Sequence, residues 1–365
     1  MRLAPSPFRR FSRRKALGLA AGIPLLAGAK GQESPGEAKK FLDATTEFEV
    51  LRVTALSHNA WLPLASDRAL TRRGDALLFA SDASGAPQLY RHDFKGNKIR
   101  QLTEAAALNT NTFTWTAGDR GFCYLDGRKV MQSGAGRDRV LYEWPADWGE
   151  SPRLAAAEDG TMLAISAYNG TKTKLVLLGK TALPLEERTG DIGTLCVRPK
   201  RPGVSYVGGG ELRLSRLDGK ALVTLRTAPG EVLSAYWTAD GASLLYLLRP
   251  DADAKRTEIR EIVPESGVEA LVAKTTQYGH FQRNGDASVF LGASLSVASP
   301  HILLLLRSVK RELTICEHRC SDARLTRAVF AANSSRIAFQ TDRHGKMTIY
   351  AMAVDRLVEE TEDNT

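Results

Sequence analysis

Two stretches decide how this chain is read: GDALLFASDASGAPQLY at residues 74–90 and SSRIAFQTDRHGKMTIY at residues 334–350. Each spells a turn, a short apolar run, an S/T-D-x-x-G loop and a second β-rich run that ends in Tyr. Gly85 and Gly345 close the two loops, where a hairpin of this kind needs a residue at positive φ. Helix-period patterns are scarce along the rest of the chain, and short β-rich runs alternate with Gly/Asp turns.

Weaker copies fall between these two. Gly118-Asp119 leads to FCYL, Asp159-Gly160 to MLAISAY, Pro202-Gly203 to VSYVGG, Asp240-Gly241 to LLYLL, and Asn284-Gly285 to SVFLG. Measured at Asp75, Asp119, Asp159, Pro202, Asp240, Asp286 and Ser334, the spacings are 44, 40, 43, 38, 46 and 48 residues. Seven units with a period in the forties and several short strands each predict an all-β, seven-bladed propeller. One blade cannot bury both faces of its sheet; stacked radially, each face is covered by a neighbour. A two-sandwich fold would leave the even spacing unexplained. The stretch TEFEVLRV at residues 46–53 alternates like a strand, and is expected to pair with the last blade and close the ring. The predicted organisation is an export signal over 1–29, a polar linker over 30–45, the propeller over 46–356, and an acidic disordered tail over 357–365.

The formal net charge is +9, from 50 Lys+Arg against 41 Asp+Glu in 365 residues. Six of the basic residues, Arg2, Arg9, Arg10, Arg13, Arg14 and Lys15, lie in the first 29 residues, which hold no acid. Without that segment the charge is +3, which removes most of the case for nucleic acid. The segment reads as an export signal: a basic start, a modestly apolar run from Ala16 to Leu26, and small residues at Ala27 and Ala29. Ser12-Arg13-Arg14-Lys15-Ala16-Leu17 resembles the twin-arginine export motif, with Ala16 where Phe is usual. A periplasmic location follows as an expectation. A disordered basic tail or a retained anchor is the plain alternative. No unbroken apolar run reaches the roughly 18–20 residues of a membrane-spanning helix.

Cys123, Cys196, Cys316 and Cys320 are too few for a disulfide scaffold. Cys316-Glu-His318-Arg-Cys320 has metal-like spacing but lacks a second ligand pair, so a local disulfide or two unpaired thiols is expected. The six His (His58, His92, His280, His301, His318 and His344) form no HxH or HxxxH pair. His344 reads as a solvated turn residue, His92 as exposed after a strand, and His58 as a loop residue, with reach of the channel mouth as the alternative. Nucleophile-elbow, phosphate-loop and dinucleotide motifs are absent from the sequence. Gly208-Gly-Gly210 reads as a tight connection, and Asn169-Gly-Thr171 as a hairpin turn despite its glycosylation spacing.

The first copy, continued to residue 104, resembles the repeats of TolB-type propellers. A narrower resemblance follows. Asn111-Thr-Phe113, Gly118-Asp119, Tyr124 and Asp126-Gly-Arg128-Lys-Val-Met131 are similar to the second blade of oligogalacturonate lyases. So is Leu141-Tyr142-Glu-Trp144-Pro145-Ala-Asp-Trp148. Arg198-Pro199, Gly230-Glu231, Trp237-Thr-Ala-Asp-Gly241 and Asp342-Arg-His-Gly-Lys346 continue the match in order, over roughly residues 50–355. The resemblance implies a seven-bladed propeller that cleaves pectin-derived oligogalacturonates by β-elimination. It also implies manganese, held by His and Gln side chains, on the uronate carboxylate, with a His as general base and an Arg that helps to hold the sugar acid.

Carried over residue by residue, most of that site is missing. The family's base precedes an aromatic-Trp pair in blade five, where this chain has Leu233-Ser234-Ala235-Tyr236-Trp237. The last metal motif of the family, Q-x-x-H-P-H, falls on Asp322, Leu325 and Arg327. The substrate Arg falls near Glu211, with Arg213 one pleat repeat away. Only His280, in Gln277-Tyr278-Gly279-His280, stands where the family has a metal ligand. His280 with Asp322 is too small a donor set for a transition metal. Arg327 either replaces the metal as an anchor for a carboxylate or belongs to an eroded pocket in which His280 is hydrogen-bonded and Arg327 solvated; the missing base favours the second. Two functions are therefore expected: an altered or lost lyase acting on uronic acid oligomers, or a non-catalytic propeller that binds an acidic oligosaccharide or a periplasmic protein.

Overall fold

A computed structural model describes residues 31, 33–64, 66–134, 137–157, 162–201, 203–215, 222–251 and 256–359. The expected export segment and residues 360–365 of the expected tail lie outside the described residues. The described strands assemble into seven antiparallel sheets; five are meanders in which sequence neighbours pair, and the first and last also take strands from the N-terminal stretch. Their second strands are the apolar runs marked by the repeat: Ala76–Ser81, Gly121–Asp126, Leu163–Tyr168, Val204–Gly208, Leu244–Arg249, Val289–Ser294 and Arg336–Thr341. These strands do not alternate in burial. Ala76–Ser81 and Val289–Ser294 are buried at every position, because both faces of a blade pack against neighbours. Each buried Leu or Phe there contributes about 1.5–3 kcal/mol.

Seven hydrophobic clusters fill the spaces between adjacent blades. Leu78, Phe113 and Trp115 join blades one and two, and Val329, Ala351, Leu77 and Phe79 join blades seven and one. First strands of consecutive blades, such as Glu231–Trp237, Tyr278–Arg283 and Ala328–Phe330, touch one another and lie innermost. Polar contacts reinforce the seams. The Arg198 guanidinium lies 4.5 Å from the Trp237 ring and donates from Nε to the Gly241 carbonyl at 2.7 Å, so these family-like residues tie blade four to blade five.

Within the stretch 46–53 the strand is Glu49–Arg52, and it pairs with the last blade: Leu51 faces Ala351 and Arg52 faces Tyr350. The stretch 30–45 differs from the linker expected. Glu33–Pro35 adds to blade one beside Lys98–Gln101, and Lys39–Leu42 adds to blade seven beside Glu49–Arg52. Both are mostly exposed. An outermost strand needs only one paired edge and little apolar surface, so its sequence carries no hydrophobic pattern. At the other end, residues 355–359 form a short helix that runs into the stretch 357–365 expected as tail, with Val358 in the core. In the two hairpin loops, Gly85 (φ 93°) and Gly345 (φ 87°) donate to the carbonyls of Asp82 and Asp342. Gly209 and Gly210 form the tight turn between Val204–Gly208 and Glu211–Ser215, and Asn169 turns the chain between Leu163–Tyr168 and Lys172–Leu178.

Candidate functional site: the axial channel

The inner strands leave unpaired N–H groups on their channel edges. The chain satisfies several with side chains from the preceding blade. His280 and Gln282, two residues apart on Tyr278–Arg283, do this for blade seven. Nε2 of His280 accepts from Ala328 N–H at 3.2 Å, and Oε1 of Gln282 accepts from Phe330 N–H at 2.6 Å. Gln340 repeats the device at the next seam: its Oε1 accepts from Leu62 N–H at 2.7 Å, and its Nε2 donates to the Leu325 carbonyl at 2.7 Å. An imidazole that accepts at Nε2 must be neutral. Burial, followed by the charge of Arg327 and the nearby His318, pushes the His280 pKa down to about 4.

Arg327 bridges three blades. Nη1 donates to the Leu62 carbonyl at 2.6 Å and Nη2 to Oδ1 of Asn111 at 2.8 Å. These bonds use two of its five N–H donors. Burial lowers its pKa to about 10, against the pull of Asp67 and with the push of Arg153. Asp67 is only 2% exposed, and neither carboxylate oxygen has a hydrogen-bond partner. It lines a cavity of about 180 Å³ in the channel, together with Cys196, Tyr236, Gln282 and Arg283. Burial raises the Asp67 pKa well above its ordinary value, and Arg153 and Arg327 pull it back. The charges around this aspartate are thus mainly guanidinium. No motif marked Asp67, Gln282 or Gln340 in the sequence. Gln282 carried one usable signal, its i+2 position from His280 on a strand.

The other expected residues lie apart from this group. Asp322 caps the short turn Ala323–Leu325, accepting from Arg324 N–H and pairing with the Arg324 guanidinium at 2.8 Å. Arg213 is on the third strand of blade four, where it donates to Glu211 at 2.8 Å. Ser234 and Ala235 are buried on the inner strand of blade five, and the Ser234 hydroxyl has no partner. One His expectation needs revision. His92 is not exposed: it is 1% accessible on Gln88–Asp93, with Nε2 3.0 Å from Oδ1 of Asn97. The end of a strand whose two faces are covered is as buried as its middle. His58 is a loop residue, as expected, and lines a cavity with Ser34 and Tyr90 beside the strand Glu33–Pro35. His344 is exposed, as read. Cys316 and Cys320 are unpaired thiols. His318 between them is fully buried, its Nε2 3.0 Å from the Ser294 carbonyl and its Nδ1 accepting from Cys320 N–H at 3.2 Å.

The manganese implied by the resemblance does not fit the residues present. Among the described residues, no three His, Cys, Asp or Glu side chains group so as to hold a metal. The Nε2 lone pair of His280 is already engaged, and the nearby guanidinium of Arg327 repels a further cation. What the channel offers instead is hydrogen-bond donors and positive charge around one uncommitted acid. Among the described residues, no helix is long and apolar enough to cross a membrane.

No family model and no curated protein matches the chain. Solved structures do. An oligogalacturonate lyase in complex with manganese superposes with a TM-score of 0.82 at 21% identity, covering 91% of this chain and all of the other. An oligogalacturonate lyase from Vibrio parahaemolyticus gives 0.81 at 20% identity, covering 90% and 100%. The β-propeller domain of Cps50 (Swd1) from Myceliophteria thermophila gives 0.57 at 12% identity, covering 81% and 99%. The chain is a seven-bladed β-propeller. Within that class its fold is the one seen in the oligogalacturonate lyases.

Proposed function

We propose that this chain is an exported propeller that binds an acidic oligosaccharide in its axial channel and has lost the metal-dependent elimination of the lyases it resembles in fold. One observation carries the reading: at the position of the expected metal ligand, the His280 lone pair is spent on the Ala328 N–H, and Arg327 stands beside it. A guanidinium can hold a uronate carboxylate by two parallel hydrogen bonds without a metal. Removing the proton beside that carboxylate needs a base. Leu233, Ser234, Ala235 and Tyr236 offer none where the family has its His. Asp67 is held towards its neutral form by burial, which suits hydrogen bonding to a sugar hydroxyl better than proton abstraction.

Calorimetric titration with a defined oligogalacturonate tests the binding. Saturable heat that disappears in Arg327→Met is expected. No heat, or heat unchanged in that variant, removes the channel as the site.

A further inference from the structure

Two cavities lie beneath the N-terminal strands. One, of about 440 Å³, is walled by Tyr90 and Gln101 of blade one with Ser34 and Pro35. The other, of about 430 Å³, is walled by Tyr350, Arg343 and Arg52 of blade seven with Lys39 and Phe41. The repeat relates them. Phe79 stacks on Tyr90 at 5.7 Å and 23°, and Phe339 on Tyr350 at 5.4 Å and 19°. Tyr90 faces Gln101 across one strand pair, and Tyr350 faces Arg52 across the equivalent pair. Gln101 and Arg52 are therefore equivalent positions. So are Ala83 and Arg343, each following the Asp of its hairpin loop.

The chemistry diverges at these positions. In blade one, the Tyr90 hydroxyl donates to Oε1 of Gln101 at 3.2 Å. In blade seven the amide is replaced by a guanidinium, which cannot accept. Tyr350 is fully buried and its hydroxyl has no partner. Nε of Arg52 and Nε of Arg343 are also buried without an acceptor. The Arg343 guanidinium lies 4.3 Å from the Tyr350 ring and 5.2 Å from the Phe41 ring, which fixes it in the wall. The one acid among the lining residues, Asp43, is spent: Oδ1 accepts from Thr45 and Thr46 N–H, and Oδ2 from Glu317 N–H. Three buried donors with no acceptor, each unfavourable to leave unmatched, thus border one cavity with an aromatic wall.

We propose that the blade-seven cavity binds a small aromatic carboxylate, whose head group accepts from Arg52, Arg343 and Tyr350 and whose ring lies against Phe41. This site is separate from the axial channel and does not depend on what the channel binds. Lys39 also lines it, so its charge favours an anion.

Calorimetric titration of the whole chain with sodium benzoate tests this. Binding of one benzoate per chain is expected, with benzamide, its uncharged analogue, at least about tenfold weaker. Arg52→Gln recreates the Tyr–Gln pair of blade one. It is expected to weaken benzoate about tenfold or more while raising the thermal midpoint, since Tyr350 regains an acceptor. Arg343→Ala recreates the other blade-one residue and weakens benzoate similarly. Tyr350→Phe, which keeps the packing, weakens it about threefold. Arg327→Met in the channel leaves benzoate affinity unchanged. The proposal is overturned if benzoate gives no heat, if benzamide binds as well, if inorganic phosphate binds in place of benzoate, or if Arg52→Gln leaves the affinity unaltered.

Discussion

Nε2 of His280 accepts the backbone N–H of Ala328 at 3.2 Å, across the seam between blade six and blade seven. The lone pair that a metal would need therefore serves as a cap for an inner-strand edge. Gln282 does the same for Phe330 with an amide, so the cap does not depend on imidazole chemistry.

This cap can be tested by substitution. His280→Gln keeps an acceptor, and is expected to cost less than about 1 kcal/mol in urea unfolding. His280→Leu leaves the Ala328 N–H without a partner, and is expected to cost about 1–3 kcal/mol. Equal losses in the two variants would remove the cap as the role of His280.

The same bond gives a pH dependence. The folded pKa of about 4 lies below the ordinary 6.5, so the folded state resists protonation of this ring. Its contribution to stability is complete above 6.5 and is lost as pH falls towards 4. Unfolding followed across that window should show less acid destabilisation in His280→Gln than in the parent. Some slope remains, because burial also lowers the pKa of His92 and His318.

Asp67 predicts the opposite sign. Its folded pKa is raised above the ordinary 3.8, so its favourable contribution is full below 3.8 and is lost as pH rises through the folded value. At neutral pH the ionised form is costly. Asp67→Asn keeps the shape and removes the charge, and is expected to raise the thermal midpoint near neutrality, with the gain shrinking towards pH 3.8. A midpoint that falls at neutral pH would mean that the carboxylate is held by Arg153 and Arg327 as an ion.

Arg327→Met should separate structure from binding. Loss of the bonds to Leu62 and Asn111 is expected to cost about 1–3 kcal/mol of stability. Affinity for an oligogalacturonate should fall by more than about tenfold, because the charge-assisted contact is gone. Arg327→Lys should restore charge without the planar fork, and recover only part of that affinity.

The fold was legible because the repeat marks the turn into each second strand, and those strands are apolar on both faces, as in Ala76–Ser81. The site was legible only where the sequence differs from the motifs of the family it resembles. Leu233 to Trp237 and Leu325 to Arg327 read as departures, whereas the roles taken up in their place depend on which strands touch. Gln282 and Gln340 carry no motif, and Asp67 sits in an irregular stretch before the first repeat. The strands Glu33–Pro35 and Lys39–Leu42 carry no hydrophobic pattern because edge strands need no apolar face. The burial of His92 is not legible because sequence shows that a strand is ending, not what covers its end.

The central claim is that the channel holds an acidic sugar without cleaving it. The most direct measurement follows ultraviolet absorbance while the chain is incubated with an oligogalacturonate and manganese, since β-elimination produces an absorbing unsaturated end. A flat trace, equal with and without manganese, is the predicted result. A manganese-dependent rise that is abolished by His280→Gln would contradict the account, and would place a working metal where the Ala328 N–H now sits.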